Sequence, residues 1–101
     1  MFKIAANPTF VAPVDIPVAG GKDHPAKFTF KHRTKDELIE WRKSITGKVD
    51  TDLFLEMVEG WDLTEEFSKE NVDLLLQHRQ GVAWNTYMVY IEELGKHREK
   101  N

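Results

Sequence analysis

Catalysis or metal binding in this chain would have to come from four histidines, two serines, scattered acids and one double glycine. His24, His32, His78 and His97 include no pair three or four residues apart on one helix. That is the spacing by which a helix offers two ligands to one metal ion. All four are flanked by polar residues and read as solvated side chains. Ser44 falls inside a helix and Ser68 at a helix start, and neither stands in the Gly-x-Ser-x-Gly turn that exposes a nucleophile. The stretch after Asp50 and Asp52 lacks the glycine and the distal glutamate of a calcium loop. Glu65-Glu66 and Glu92-Glu93 are adjacent, and adjacent helical side chains diverge, so they make poor acid–base dyads. Gly20-Gly21 lies between strands and is not followed by the Lys-Ser/Thr that grips phosphate. The chain therefore reads as non-enzymatic, with no cofactor and no metal.

Composition narrows the classes further. One hundred and one residues make one domain, with 41 % hydrophobic and 31 % charged residues, too apolar for a disordered chain. There is no cysteine, hence no disulfide or thiol chemistry. No apolar run reaches the ~18 residues that a membrane span needs, and no basic-then-apolar leader opens the sequence. The net charge of −3 is split. Residues 1–49 hold nine bases and five acids, net +4, and residues 50–101 hold five bases and twelve acids, net −7. The acidic half argues against a nucleic-acid partner, because phosphate binding needs Lys and Arg. The split suits head-to-tail self-association.

Stepping along the chain, all four prolines lie in residues 1–33, and the rest reads as helix. Phe10, Ala12, Val14, Ile16 and Val18 alternate as one face of a strand. Pro13 and Pro17 remove backbone donors along one side, which makes this an edge strand. A Gly20–Pro25 loop leads to a second strand carrying Phe28 and Phe30. Thr34 and Glu37 have capping-box spacing for a first helix with Leu38, Trp41 and Ile45 inward. Asp50 is expected to cap a second helix burying Leu53, Phe54, Met57 and Val58. Gly60 is expected to stop it in a left-handed conformation, with Trp61 folding back on Leu55. Ser68 caps a third helix that ends at Gly81. A fourth runs from about Val82 to Leu94. Trp84, Tyr87, Met88, Ile91 and Leu94 recur at three and four and form its expected buried stripe. Trp84 in that stripe is worth roughly 3–5 kcal/mol on truncation to Ala. Tyr90 falls off the stripe and is expected at an interface or in solvent.

The expected fold is α+β, mainly α: an N-terminal β-hairpin followed by about four short packed helices. It forms a single domain over 1–101, with a hairpin region (1–33), a helical core (34–95) and a charged tail (96–101). Trp61 fits either core or a contact patch, since Trp and Tyr are frequent at interface centres.

Gly60-Trp61-x-Leu63, Phe67-Ser68-x-Glu70-Asn71, Leu74-Leu75 and an aromatic helix with Tyr87 and Leu94 resemble the tail assembly chaperones of long-tailed bacteriophages. Phe28-Thr29-Phe30-Lys31-x-Arg33 and a helix carrying Trp41 are similar to the front part of some members. The resemblance implies a non-enzymatic protein that acts on the tape measure protein, a long helix-rich chain that sets tail length. It implies that this client is kept soluble until tail tube protein polymerises around it. It further implies action in the cytoplasm of the bacterial host, absence from the finished virion, and a longer version made by frameshifting near the end of the frame. Candidate partner-binding residues are Trp61, Leu63, Phe67 and Tyr90. The alternative is a small adaptor that binds one folded partner by strand addition at the free edge of the hairpin.

Overall fold

Alternation places Ala12, Val14 and Ile16 of β1 (Thr9–Ile16) and Ala26, Phe28 and Phe30 of β2 (His24–Lys31) on one buried face. The computed structural model describes residues 1–95, and the tail expected over 96–101 lies outside them. β1 and β2 pair antiparallel, with Phe10 opposite Phe30 and Ala12 opposite Phe28. Gly20, at φ +77°, supplies the left-handed residue that the connecting loop requires. The remaining elements are α1 (Lys35–Ser44), α2 (Asp50–Met57), β3 (Val58–Trp61), α3 (Lys69–His78) and α4 (Val82–Gly95). The hairpin and the four helices stand where the sequence puts them.

Local capping explains two helix starts. The Thr34 hydroxyl accepts from Glu37 N at 3.2 Å, and the Glu37 carboxylate accepts from Thr34 N at 2.8 Å, a complete capping box. The Ser68 hydroxyl accepts from Asn71 N at 3.1 Å. Asp50 does not cap α2. Val49 is the cap residue and makes no side-chain bond, while Asp50 and Asp52 lie in the first turn. There the positive end of the helix dipole accounts for both acids.

The second correction is β3. Gly60 is not a left-handed helix stop, since the positive-φ glycines are Gly20, Gly47 and Gly81. After Met57 the chain turns extended at Val58 and pairs antiparallel with β2, Thr29 opposite Gly60 and Phe28 opposite Trp61. The register shifts between Thr29 and Phe30, leaving Glu59 as the extra residue. The ladder ends where Asp62 N donates to the Lys27 carbonyl and the Asp62 carboxylate accepts from Lys27 N. A hairpin alone is marginal in water, and β3 makes it a three-stranded sheet of order β1-β2-β3.

That order closes the edge on which strand addition would rely. His32 N donates to the Pro8 carbonyl, so the even-numbered residues of β1 bond toward β2. Val11, Pro13 and Asp15 therefore direct their backbone groups outward. Pro13 has no N–H there, and the Asp15 carbonyl already accepts from Asn85 Nδ2 of α4 at 3.0 Å. The other edge of the hairpin is covered by β3. β1 is thus the edge strand that its prolines dictate, and a poor template for a further strand.

α2 and α4 pack against the sheet, α3 packs on those two helices, and α4 reverses the expected phase. Val82, Thr86 and Tyr90 are fully buried, while Trp84 is 64 % exposed and Met88 46 %. The expectations of a buried Trp84 and an outlying Tyr90 are both overturned. α4 is apolar nearly all round, so spacing alone does not choose its face. Polar satisfaction chooses it. Thr86 is buried with its hydroxyl donating to the Val82 carbonyl at 2.7 Å. The Tyr90 hydroxyl donates to the Lys31 carbonyl at 2.6 Å and accepts from Arg33 Nη1 at 2.8 Å.

Arg33 also donates to the Glu56 carbonyl at 2.7 Å and lies over the Trp41 ring, 4.9 Å from its centroid. Tyr90 stacks on Phe30 at 5.4 Å and meets Trp41 edge-on at 5.5 Å. Burial pushes the Tyr90 phenol up, against the pull of Arg33. Nearby, the Glu56 carboxylate accepts from Trp41 Nε1 at 2.8 Å and pairs with Lys48 at 3.0 Å. Its partial burial pushes its pKa up, but the Trp41 and Lys48 bonds, with the Lys48 and Arg33 charges, leave it below the usual value.

Removing only the Tyr90 hydroxyl, as in Tyr90→Phe, leaves the Lys31 carbonyl and one Arg33 donor unpaired and should cost about 1–3 kcal/mol in urea unfolding. Tyr90→Ala should cost about 3–5 kcal/mol. Because the Glu56 pKa is lowered in the folded state, its contribution is complete above the ordinary glutamate pKa and is lost as pH falls through the folded value. Thermal melts on acidification should therefore fall less steeply for Glu56→Gln than for the wild-type chain. The glutamine still accepts from Trp41 but has no charge to lose.

Candidate partner-binding surface

The buried face of α4 is used by the sheet, so its opposite face is left to solvent. Trp84 and Met88 stand one helical turn apart there, with Tyr87 and Ile91 half-buried beside them. α1 and α2 approach this face and leave a groove of about 740 Å³. Phe54 and Met57 are its buried floor, Ile45, Leu53, Tyr87 and Ile91 its walls, and Trp84 and Met88 its rim. Trp84 leans on Tyr87 at 6.0 Å, and Tyr87 on Trp41 at 6.2 Å. Two charges, Arg42 and Asp50, stand at the border. The volume falls within the ~300–1,000 Å³ typical of binding pockets. The chemistry it offers is apolar burial, with aromatic faces and a polarizable thioether that adapts to differently shaped partners.

A second, smaller cleft of about 390 Å³ lies between β3, the following loop and α3. Trp61, Leu63, Leu74 and Leu75 line it, with His78 and Arg79 at one end. Trp61 is packed edge-on against Phe67 at 4.9 Å and also near Phe28 and Phe54. Its indole N–H donates to the Glu65 carbonyl at 2.8 Å, which pins the loop over the ring. Asn71 Nδ2 donates to the Glu66 carbonyl at 2.7 Å and holds the same loop to α3. Leu74 remains half exposed beside them.

Of the four residues singled out from sequence, the fold brings three together. Trp61 and Leu63 line the small cleft, and Phe67 buttresses Trp61. Trp61 is half-buried and packed against Phe67. Tyr90 is elsewhere, with no exposed surface, packed among Phe10, Phe30 and Trp41. It offers a partner nothing directly and acts on the larger groove only through Trp41.

Sequence reasoning missed Trp84 and Met88 as surface. A signal for them was present: a helix apolar all round needs cover on both faces, and a 101-residue chain has core enough for one. A third depression, about 970 Å³, is lined by Lys48, Asp50, Asp52, Lys69, Glu70 and Asp73 among others, and Thr51 Oγ1 donates across it to Asp73 at 2.9 Å. No group of three His, Cys, Asp or Glu suited to a metal ion occurs among the described residues. No helix among them is long and apolar enough to cross a membrane.

The family model described as phage tail assembly chaperone matches residues 1–101. No curated protein and no solved structure matches the chain.

Trp84→Ala should leave urea stability within about 0.5 kcal/mol of wild type, because an exposed ring makes no cavity when removed. A loss of several kcal/mol would put Trp84 back in the core.

Proposed function

This chain belongs to the phage tail assembly chaperone family, and on that premise we propose that its client is the tape measure protein. The client is held by seating apolar, helix-rich stretches in the groove between α1, α2 and α4. One observation carries this reading: Trp84 and Met88 are exposed at the rim of a preformed apolar groove. Exposed large apolar patches on small domains mark interaction surfaces, and an amphipathic helix laid in a groove is a recurrent recognition mode. The cleft at Trp61 and Leu63, buttressed by Phe67, serves as a second contact for the same extended client. Tyr90 contributes by holding Trp41, one wall of the groove. The activity is binding alone, with no bond made or broken. It takes place in the cytoplasm of the bacterial host, and the protein leaves before the virion is complete. Capture of a folded partner by strand addition is disfavoured, because β3 covers one edge of the hairpin and Pro13 with Asn85 obstructs the other.

Co-expression of a tape measure protein with this chain in a bacterial host should keep the client in the soluble fraction. The double variant Trp84→Ala with Met88→Ala should lose most of that protection while melting like wild type. A folded double variant that protects equally well would remove the groove from the reading. A client insoluble even beside the wild-type chain would remove the client.

A further inference from the structure

α1 is the helix least joined to the rest of the fold. Trp41 is its buried side chain, Leu38 is half-buried, and every other side chain on it is exposed. No other element packs closely along its backbone. Its helical form is kept by its own residues. The capping box holds the start, Asp36 and Glu37 suit the first turn, Arg42 and Lys43 suit the last, and the Ser44 hydroxyl donates to the Trp41 carbonyl at 2.7 Å. α1 can therefore move as one body without unwinding. Each end has a pivot. Thr34 before it is extended, and Gly47 after it has φ +84°, with open space where a side chain would stand.

Three side chains around α1 are held by one residue of α2, Glu56. Its carbonyl accepts from Arg33 Nη1 at 2.7 Å, and its carboxylate accepts from Trp41 Nε1 at 2.8 Å and from Lys48 Nζ at 3.0 and 3.1 Å. The Glu56 and Lys48 side chains are each about a third exposed, so water can take over both when they part. Arg33 keeps its bonds to the Glu56 carbonyl and the Tyr90 hydroxyl whether or not Trp41 is present, so the buried node stays satisfied. What resists the movement is burial of the Trp41 ring.

We infer that α1 is a hinged wall of the groove, latched shut by the Glu56 carboxylate through Trp41 and Lys48. Swinging it outward takes Trp41, Arg42 and Ile45 away from one side, while Phe54, Met57 and the α4 side chains stay in place. The groove then has two sizes, and the larger one admits bulkier apolar segments. Glu56 is not among the residues that line the groove, so it acts as a positioning residue, setting the wall rather than touching the occupant. That a client uses the added room rests on the reading above; the movement itself does not.

Hydrogen exchange followed by NMR on the full chain tests this without a client, so either reading can fail while the other stands. The Trp41 indole N–H, bonded to Glu56, reports opening of the wall. The Phe28 and Phe30 amides, bonded across to β1, report unfolding of the sheet. The indole should be at least about tenfold less protected than these amides, because α1 opens while the sheet stays folded. Low urea should speed the amides steeply and the indole barely, since a hinge movement exposes little surface. Lys48→Ala removes no partner of the indole, yet should speed its exchange about two- to fivefold by weakening the shared latch. An indole as protected as the amides, with the same urea dependence, would overturn the inference, because α1 would then leave only with the whole fold. An indole whose exchange ignores Lys48→Ala would overturn the latch.

Discussion

Every layer of this protein meets at Tyr90. Its ring packs between the sheet and α1, and its hydroxyl is bonded on both sides, to the Lys31 carbonyl at the end of β2 and to Arg33. Arg33 carries the tie onward to the Glu56 carbonyl near the end of α2 and to the face of Trp41 in α1. A buried phenol and a partly buried guanidinium are tolerable only when their donors and acceptors are matched. Among the described residues no buried side-chain nitrogen or oxygen lacks a partner. The node therefore does more than add stability. It admits one rotation of α4 and penalises the others, since turning the helix would bury Trp84 at the cost of stranding Arg33 and the Lys31 carbonyl.

The exposed apolar surface follows from that rotation. With Val82, Thr86 and Tyr90 turned in, Trp84 and Met88 are turned out. α1 and α2 are fixed to the same node through Trp41 and Glu56, so the space between them and α4 is a shaped groove rather than a loose patch. An apolar groove held open by polar bonds beneath it resists collapse onto itself. A surface free to close would instead bury its own apolar residues.

The sheet has a complementary part. β3 covers the outward side of Thr29, Asp62 just beyond it satisfies the outward backbone groups of Lys27, and Pro13 and Asn85 limit those of β1. Exposed strand edges invite unwanted pairing.

Much of this architecture is local and was legible in the residues. The alternation of β1 and β2, the prolines that mark an edge, the Thr34 capping box, the Ser68 cap and the four helices all depend on neighbours within a few positions. So did the clustering of Trp61, Leu63 and Phe67, which one loop and one cap bring together. Three features were not legible, each for a long-range reason. β3 is only four residues, and its partner Thr29 lies about thirty residues earlier; locally, Met57 to Gly60 looks like a helix end. The phase of α4 was ambiguous because two apolar stripes share one helix, and the choice rests on hydrogen bonds to residues nearly sixty positions away. The groove is the consequence of that choice. The sequence by itself determined which elements form and that apolar surface would be left over. Only the tertiary structure decided which side of α4 that surface occupies, because polar satisfaction at Tyr90 is a property of the assembled core.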